Sequence, residues 1–130
     1  MAGYSGTPLP KKLGIKAKTK ILLVDCPASV RAELKSSLAG CEEGTPLDFA
    51  IAFVKRQSDL KKQFASIEKQ LAPAGMFWVS WPKKSSGVAS DLDENIVRKV
   101  GLEAGLVDVK VCAVDEVWSG LKFVRRRADR

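Results

Sequence analysis

Residues 75–91 read GMFWVSWPKKSSGVASD, and this run decides the fold class. Met76 to Trp81 is a short apolar stretch rich in aromatic and β-branched side chains, which suits a strand buried on both faces. Pro82 ends it, because its ring removes a backbone donor and restricts the residue before it. Lys83, Lys84, Ser85, Ser86 and Gly87 carry no apolar period and read as a loop. Ser90, with Asp93 three residues on, has the form of a capping box, so a helix is expected to begin near Asp91. Buried strand, loop and helix in that order make one unit of a mainly parallel α/β sheet, with the loop at the strand's carboxyl end.

The same unit recurs toward the N-terminus. Lys20 to Asp25, KILLVD, is a second apolar run bounded by charge. Pro27 suits the first position of a helix, since its missing N–H would go unpaired there anyway. Val30, Leu34 and Leu38 then repeat at helical spacing, and Gly40 is placed to end that helix in a left-handed conformation. Leu47 to Val54, LDFAIAFV, reads as a central strand. Ser58 is the expected cap of the next helix, Asp59 favours its positive end, and Leu60, Phe64, Ile67 and Leu71 form its apolar stripe. Ala72-Pro73-Ala74-Gly75 stops it.

Beyond the opening run, Leu92, Ile96, Val97 and Val100 give the third helix a core face, and Gly105 terminates it despite the internal Gly101. Val107, Val109, Val111 and Ala113 alternate with Asp108, Lys110 and Cys112, as in a strand with one wetter face near a sheet edge. Asp115-Glu116 turns the chain into a last strand, Val117 to Val124, antiparallel to it. The order β-α-β-α-β-α-β-β predicts a three-layer sheet of about five strands, mainly parallel, with helices on both faces, right-handed crossovers and a C-terminal antiparallel hairpin. Residues 1–19, rich in Gly, Pro, Ser and Lys, read as a basic arm with one short turn near Leu9 to Leu13, and residues 20–130 as a single domain.

Composition narrows the chemistry. The chain has 130 residues, 45% hydrophobic and 28% charged, enough for one ordinary core. No apolar run approaches the roughly 18 residues of a membrane span. With no leader pattern at the start, a cytoplasmic location is expected. There is no histidine, which removes Ser-His-Asp and Cys-His catalysis, imidazole acid-base chemistry and histidine metal sites. Cys26, Cys41 and Cys112 lack C-x-x-C spacing and read as reduced thiols, neither a disulfide framework nor a metal cage. The net charge of +7 comes largely from Lys11, Lys12, Lys16, Lys18 and Lys20 at one end and Arg125, Arg126, Arg127 and Arg130 at the other. These clusters suit either solubility or contact with nucleic-acid phosphates.

The order of elements resembles the Rossmann-like fold of class I S-adenosylmethionine-dependent methyltransferases, especially its later half. LAPAGMFWVSWPK is similar to the L-x-P-G-G approach to a strand in that family, and GLVDVKVCAVDEVWSGLKFV to its final hairpin. The resemblance implies S-adenosylmethionine as cofactor. Those enzymes generally place a glycine-rich turn after the first strand, where this chain has Asp25-Cys26-Pro27-Ala28-Ser29, and an acidic residue at the end of the second. One strand-helix unit of their pattern is missing at this length. GYSGTPLPKKLGIK, SWPKKSSGVASDLDENIVRKVGL and GLVDVKVCAVDEVWSGLKF also resemble a family of small bacterial proteins known as a domain of unknown function. That resemblance implies a bacterial cytosolic protein and transfers no catalytic residues.

In an open sheet of this type, ligands bind beyond the carboxyl ends of the strands. That rule places Asp25, Cys26, Lys55, Arg56, Trp81, Lys83, Lys84, Ser85, Ser86 and Gly87 on the candidate face. The Lys83–Gly87 loop precedes a helix, where backbone donors favour anions, although it lacks the nucleotide-cradling order of glycines. Asp115, Trp118 and Ser119 add carboxylate, aromatic and hydroxyl groups from the hairpin. The expected ligand-binding set is therefore Asp25, Trp81, Lys83, Lys84, Ser85, Ser86, Gly87, Asp115, Trp118 and Ser119, with no catalytic residue and no metal ligand assigned. The leading expectation is a non-catalytic domain that binds a small anionic ligand or a protein partner. The alternative is an atypical S-adenosylmethionine-dependent methyltransferase, and the third reading is nucleic-acid binding through the basic termini. An edge strand and Trp118 leave room for a homodimer.

Overall fold

The computed structural model describes residues 7–130. Three strands, β1 (Ile21–Val24), β2 (Leu47–Phe53) and β3 (Leu71–Pro82), lie parallel in that order. The hairpin strands β4 (Leu106–Ala113) and β5 (Trp118–Arg125) complete the sheet. β5 pairs antiparallel with both β3 and β4, so the order across the sheet is β1-β2-β3-β5-β4. Helices α1 (Leu9–Leu13), α2 (Ala28–Leu38), α3 (Gln57–Glu68) and α4 (Glu94–Glu103) link and cover the strands.

Each face of the sheet buries one apolar layer, because successive strand side chains point to opposite sides. On one face, Leu60, Phe64 and Ile67 of α3 and Val97 and Val100 of α4 pack on Phe77, Val79, Leu121 and Phe123. Phe64 meets the rings of Phe77 and Phe123 edge-on, both at 5.0 Å. On the other face, Leu9 and Leu13 of α1 and Val30 and Leu34 of α2 pack on Phe49, Ile51 and Trp78. Burying each such large side chain contributes about 1.5–3 kcal/mol, so the two layers dominate stability. The indole Nε1 of Trp78 donates to the Leu13 carbonyl at 2.8 Å, which satisfies the one polar atom of a fully buried ring and fastens α1 to the central strand.

Several local expectations change. Gly40 does not take a left-handed conformation; Ala39 caps α2 with a right-handed one. α3 begins at Gln57, and its first N–H donates to the carboxylate of Asp91 at 2.8 Å, so a remote acid replaces Ser58 as its cap. α4 begins at Glu94, because Asp93 itself is the cap and accepts from the Ile96 N–H at 2.9 Å. Ser90 instead donates to the Lys55 carbonyl at 2.8 Å. β3 reaches back to Leu71, with residues between Leu71 and Met76 bulging out of register with β2. Gly105 does end α4's connection in a left-handed conformation, with φ 92°. In β4, a bulge between Asp108 and Lys110 breaks the expected alternation. Val109 and Val111 are consequently about half exposed, while Cys112 packs against the Trp78 layer.

Candidate ligand cleft at the strand ends

The carboxyl ends of β1 and β2 open onto a cleft of about 510 Å³. Its floor begins where β1 stops: Asp25 has φ 52°, a left-handed conformation that costs an L-residue energy and turns the chain sharply into α2. Pro27 then stands as the N-cap, one place before the expected first helical position, and α2 starts at Ala28. From β2 come Phe53, Val54 and Lys55. The Val54 N–H donates to the Ser80 carbonyl at 2.9 Å, and the Lys55 carbonyl accepts from the Asp91 N–H at 3.2 Å. The Lys55 backbone is thus pinned from behind while its side chain remains exposed. Asp59, in the first turn of α3, and Gln63, one turn later, form the far wall.

Trp118 enters from the start of β5 and meets Phe53 edge-on, with ring centroids 5.2 Å apart and planes at 88°. Its position is set by Asp115, whose carboxylate accepts from the N–H groups of Val117 at 2.8 Å and Trp118 at 2.7 Å. Asp115 therefore orders the hairpin turn. The cleft combines two carboxylates, one ammonium, one amide and an aromatic wall. That set can pair with a ligand carrying both charges and a flat ring.

Of the residues singled out in the sequence, Asp25 and Trp118 of the expected ligand-binding set and Lys55 of the wider candidate face meet in this cleft, while Cys26 and Arg56 do not line it. Trp81 is buried in the α3–α4 layer at 5% exposure. Ser119 lies opposite Trp81 across β3 and β5, and its carbonyl accepts from the buried Ser80 hydroxyl at 2.7 Å. Lys83 donates its N–H to the Val117 carbonyl at 2.7 Å. Ser86 closes its own turn, donating to the Lys83 carbonyl at 2.6 Å and accepting from Val88 at 3.2 Å. Lys84, Ser85 and Gly87 are exposed on that turn, and Gly87 has φ 77°. None of these loop residues lines the cleft. Phe53, Asp59 and Gln63 were not anticipated as site residues. Asp59 and Gln63 sit four apart on α3, a spacing that puts both on one helix face, but only the fold shows that this face meets Asp25. Burial raises the Cys26 thiol above its ordinary value, with Arg31 pulling weakly the other way, so Cys26 stays protonated at neutral pH. Among the described residues no cluster of three potential metal ligands occurs, and no helix is long and apolar enough to cross a membrane.

No protein-family model matches the chain, and no curated protein matches it in sequence. Solved structures match it in fold. Magnesium protoporphyrin IX methyltransferase from Synechocystis with bound SAH aligns with a TM-score of 0.61 at 10% identity, covering 91% of this chain and 78% of that one. A SAM dependent methyltransferase from Aquifex aeolicus aligns at 0.60 and 15% identity, covering 87% and 85%. Aeropyrum pernix fibrillarin in complex with S-adenosyl-L-methionine aligns at 0.54 and 13%, covering 94% and 70%. The chain has a class I, Rossmann-like methyltransferase fold. The resemblance to the small bacterial family finds no support in these comparisons.

Proposed function

We propose that the chain binds S-adenosylmethionine in the cleft between Asp25 and Trp118 and is a methyltransferase of atypical build. The supporting observation is the strand-end cleft itself, in which Asp25 adopts the left-handed backbone ordinarily left to glycine. The residues present fit the cofactor's chemistry. Asp25 and Asp59 provide acceptors for its ammonium and ribose hydroxyls, Lys55 pairs with its carboxylate, and Trp118 offers a surface for its adenine. The bound cofactor supplies an activated methyl group. The chain's own part is to hold and orient it, and with no histidine in the sequence any proton transfer falls to a carboxylate, lysine or thiol.

The second reading is a non-catalytic domain that binds an anionic ligand or partner on the same strand-end face. Pro27 favours it, because a proline at the N-cap of α2 removes a backbone donor from the strand-to-helix turn and blocks close approach of a ligand to the chain. Calorimetry with S-adenosylmethionine tests the first reading. Saturable binding is expected, weakened roughly tenfold or more by Asp25→Ala or Trp118→Ala, the scale of one lost charged or stacking contact. No heat of binding up to millimolar cofactor would sink it. If binding is found, release of S-adenosylhomocysteine in the presence of candidate acceptors separates an enzyme from a binder.

A further inference from the structure

The two edges of the sheet are built differently. β4 carries a bulge, Lys110 and an irregular register, all of which discourage a further strand from pairing. β1 has none of these: its residues Ile21, Leu22, Leu23 and Val24 are all apolar and only half buried. The Lys20 carbonyl accepts from Phe49 of β2 at 3.1 Å, while the Ile21 N–H donates outward to Glu42 at 2.9 Å. Because backbone groups alternate sides along a strand, the N–H and C=O of Leu23 face outward, beyond the reach of that short bridge. A groove of about 550 Å³ runs along this edge, with Arg31 at one end and Glu42 and Glu43 at the other.

The polarity of that groove follows from the crossover. α2 runs back along β1, so Arg31 lies near the carboxyl end of β1, while Glu42 bridges to Lys20 at its start. All three charged side chains are exposed, and none has an ion pair or side-chain hydrogen bond among the described residues. A two-fold axis through the edge at Leu23 would bring each Arg31 to the partner's Glu42 and Glu43, and Leu23 to its own counterpart in antiparallel pairing.

We propose that the open edge of β1 pairs with the β1 edge of a second copy, forming a homodimer with one continuous ten-stranded sheet across two subunits. Light scattering and sedimentation across a concentration series test it. The wild-type chain is expected at twice the monomer mass, and Arg31→Glu at the monomer mass with unchanged circular dichroism. Combining Arg31→Glu with Glu42→Arg and Glu43→Arg restores the opposite charges and is expected to restore the dimer. A wild-type monomer at every concentration overturns the proposal, as does a dimer that Arg31→Glu leaves intact.

Discussion

Asp25 is the residue at which local cost and proposed role meet. A carboxylate side chain on a left-handed backbone is sustained against about 1–2 kcal/mol of steric penalty, less for Asp than for bulkier residues. Asp25→Gly is therefore expected to leave stability to urea unchanged or raise it by up to about 1 kcal/mol, while cofactor affinity falls as for Asp25→Ala. A variant that lost stability would show that the side chain holds the turn. Gly101 is the opposite case. It read in the sequence as an interruption of a helix, but a Cβ built there would sit 2.1 Å from the Phe123 ring. Gly101→Ala is expected to destabilise by about 1–3 kcal/mol through overpacking, despite a helix propensity gain of about 1 kcal/mol; chemical denaturation would measure it. Burial raises the Cys26 and Cys112 thiols from an ordinary value of 9.0. The folded state then holds these protons more tightly than the unfolded chain. Their contribution to stability is complete below the unfolded value and is lost as pH rises from there through the folded value. Slow alkylation at neutral pH, accelerating only in alkaline buffer, is the expected signature.

At the scale of single elements, period and punctuation made the strands legible. LDFAIAFV and GMFWVSWP could be read as buried strands because their apolar runs are short and bounded by breakers. What could not be read were ends fixed by distant residues. Asp91 caps α3 across 34 positions, and no local signal distinguishes it from a loop acid. The bulge in β4 was hidden for a related reason: alternation of valines predicts faces only while the register with the neighbouring strand holds. The same limit governs the cleft. Asp25 and Trp118 were visible as strand-end residues, whereas Asp59 and Gln63 joined them only once α3 was placed beside β1. Replacing the cap of α4, Asp93→Ala, is expected to cost about 0.5–2 kcal/mol, measured as a shift in the urea midpoint. Ser90→Ala should cost less, since Ser90 secures a connecting loop.

For the molecule as a whole, the layered α/β architecture and the terminal hairpin follow from the order of elements, while the sheet's order of strands requires the structure. β5 comes last in the chain yet fills the slot between β3 and β4, so β4 has no neighbour until β5 arrives. A chain truncated after Val117 would lose the pairings on both sides of β5. It is expected to show no cooperative thermal unfolding, and a cooperative transition in calorimetry would contradict that. The inserted strand also bears on how the protein is made. While the ribosome is still holding residues 118–125, the antiparallel side of β3 is uncovered and its apolar residues Phe77 and Val79 lack their cross-strand partners Phe123 and Leu121. Until β5 is in place, that flank of β3 is an unpaired and aggregation-prone edge, and the docking of β5 is what covers it.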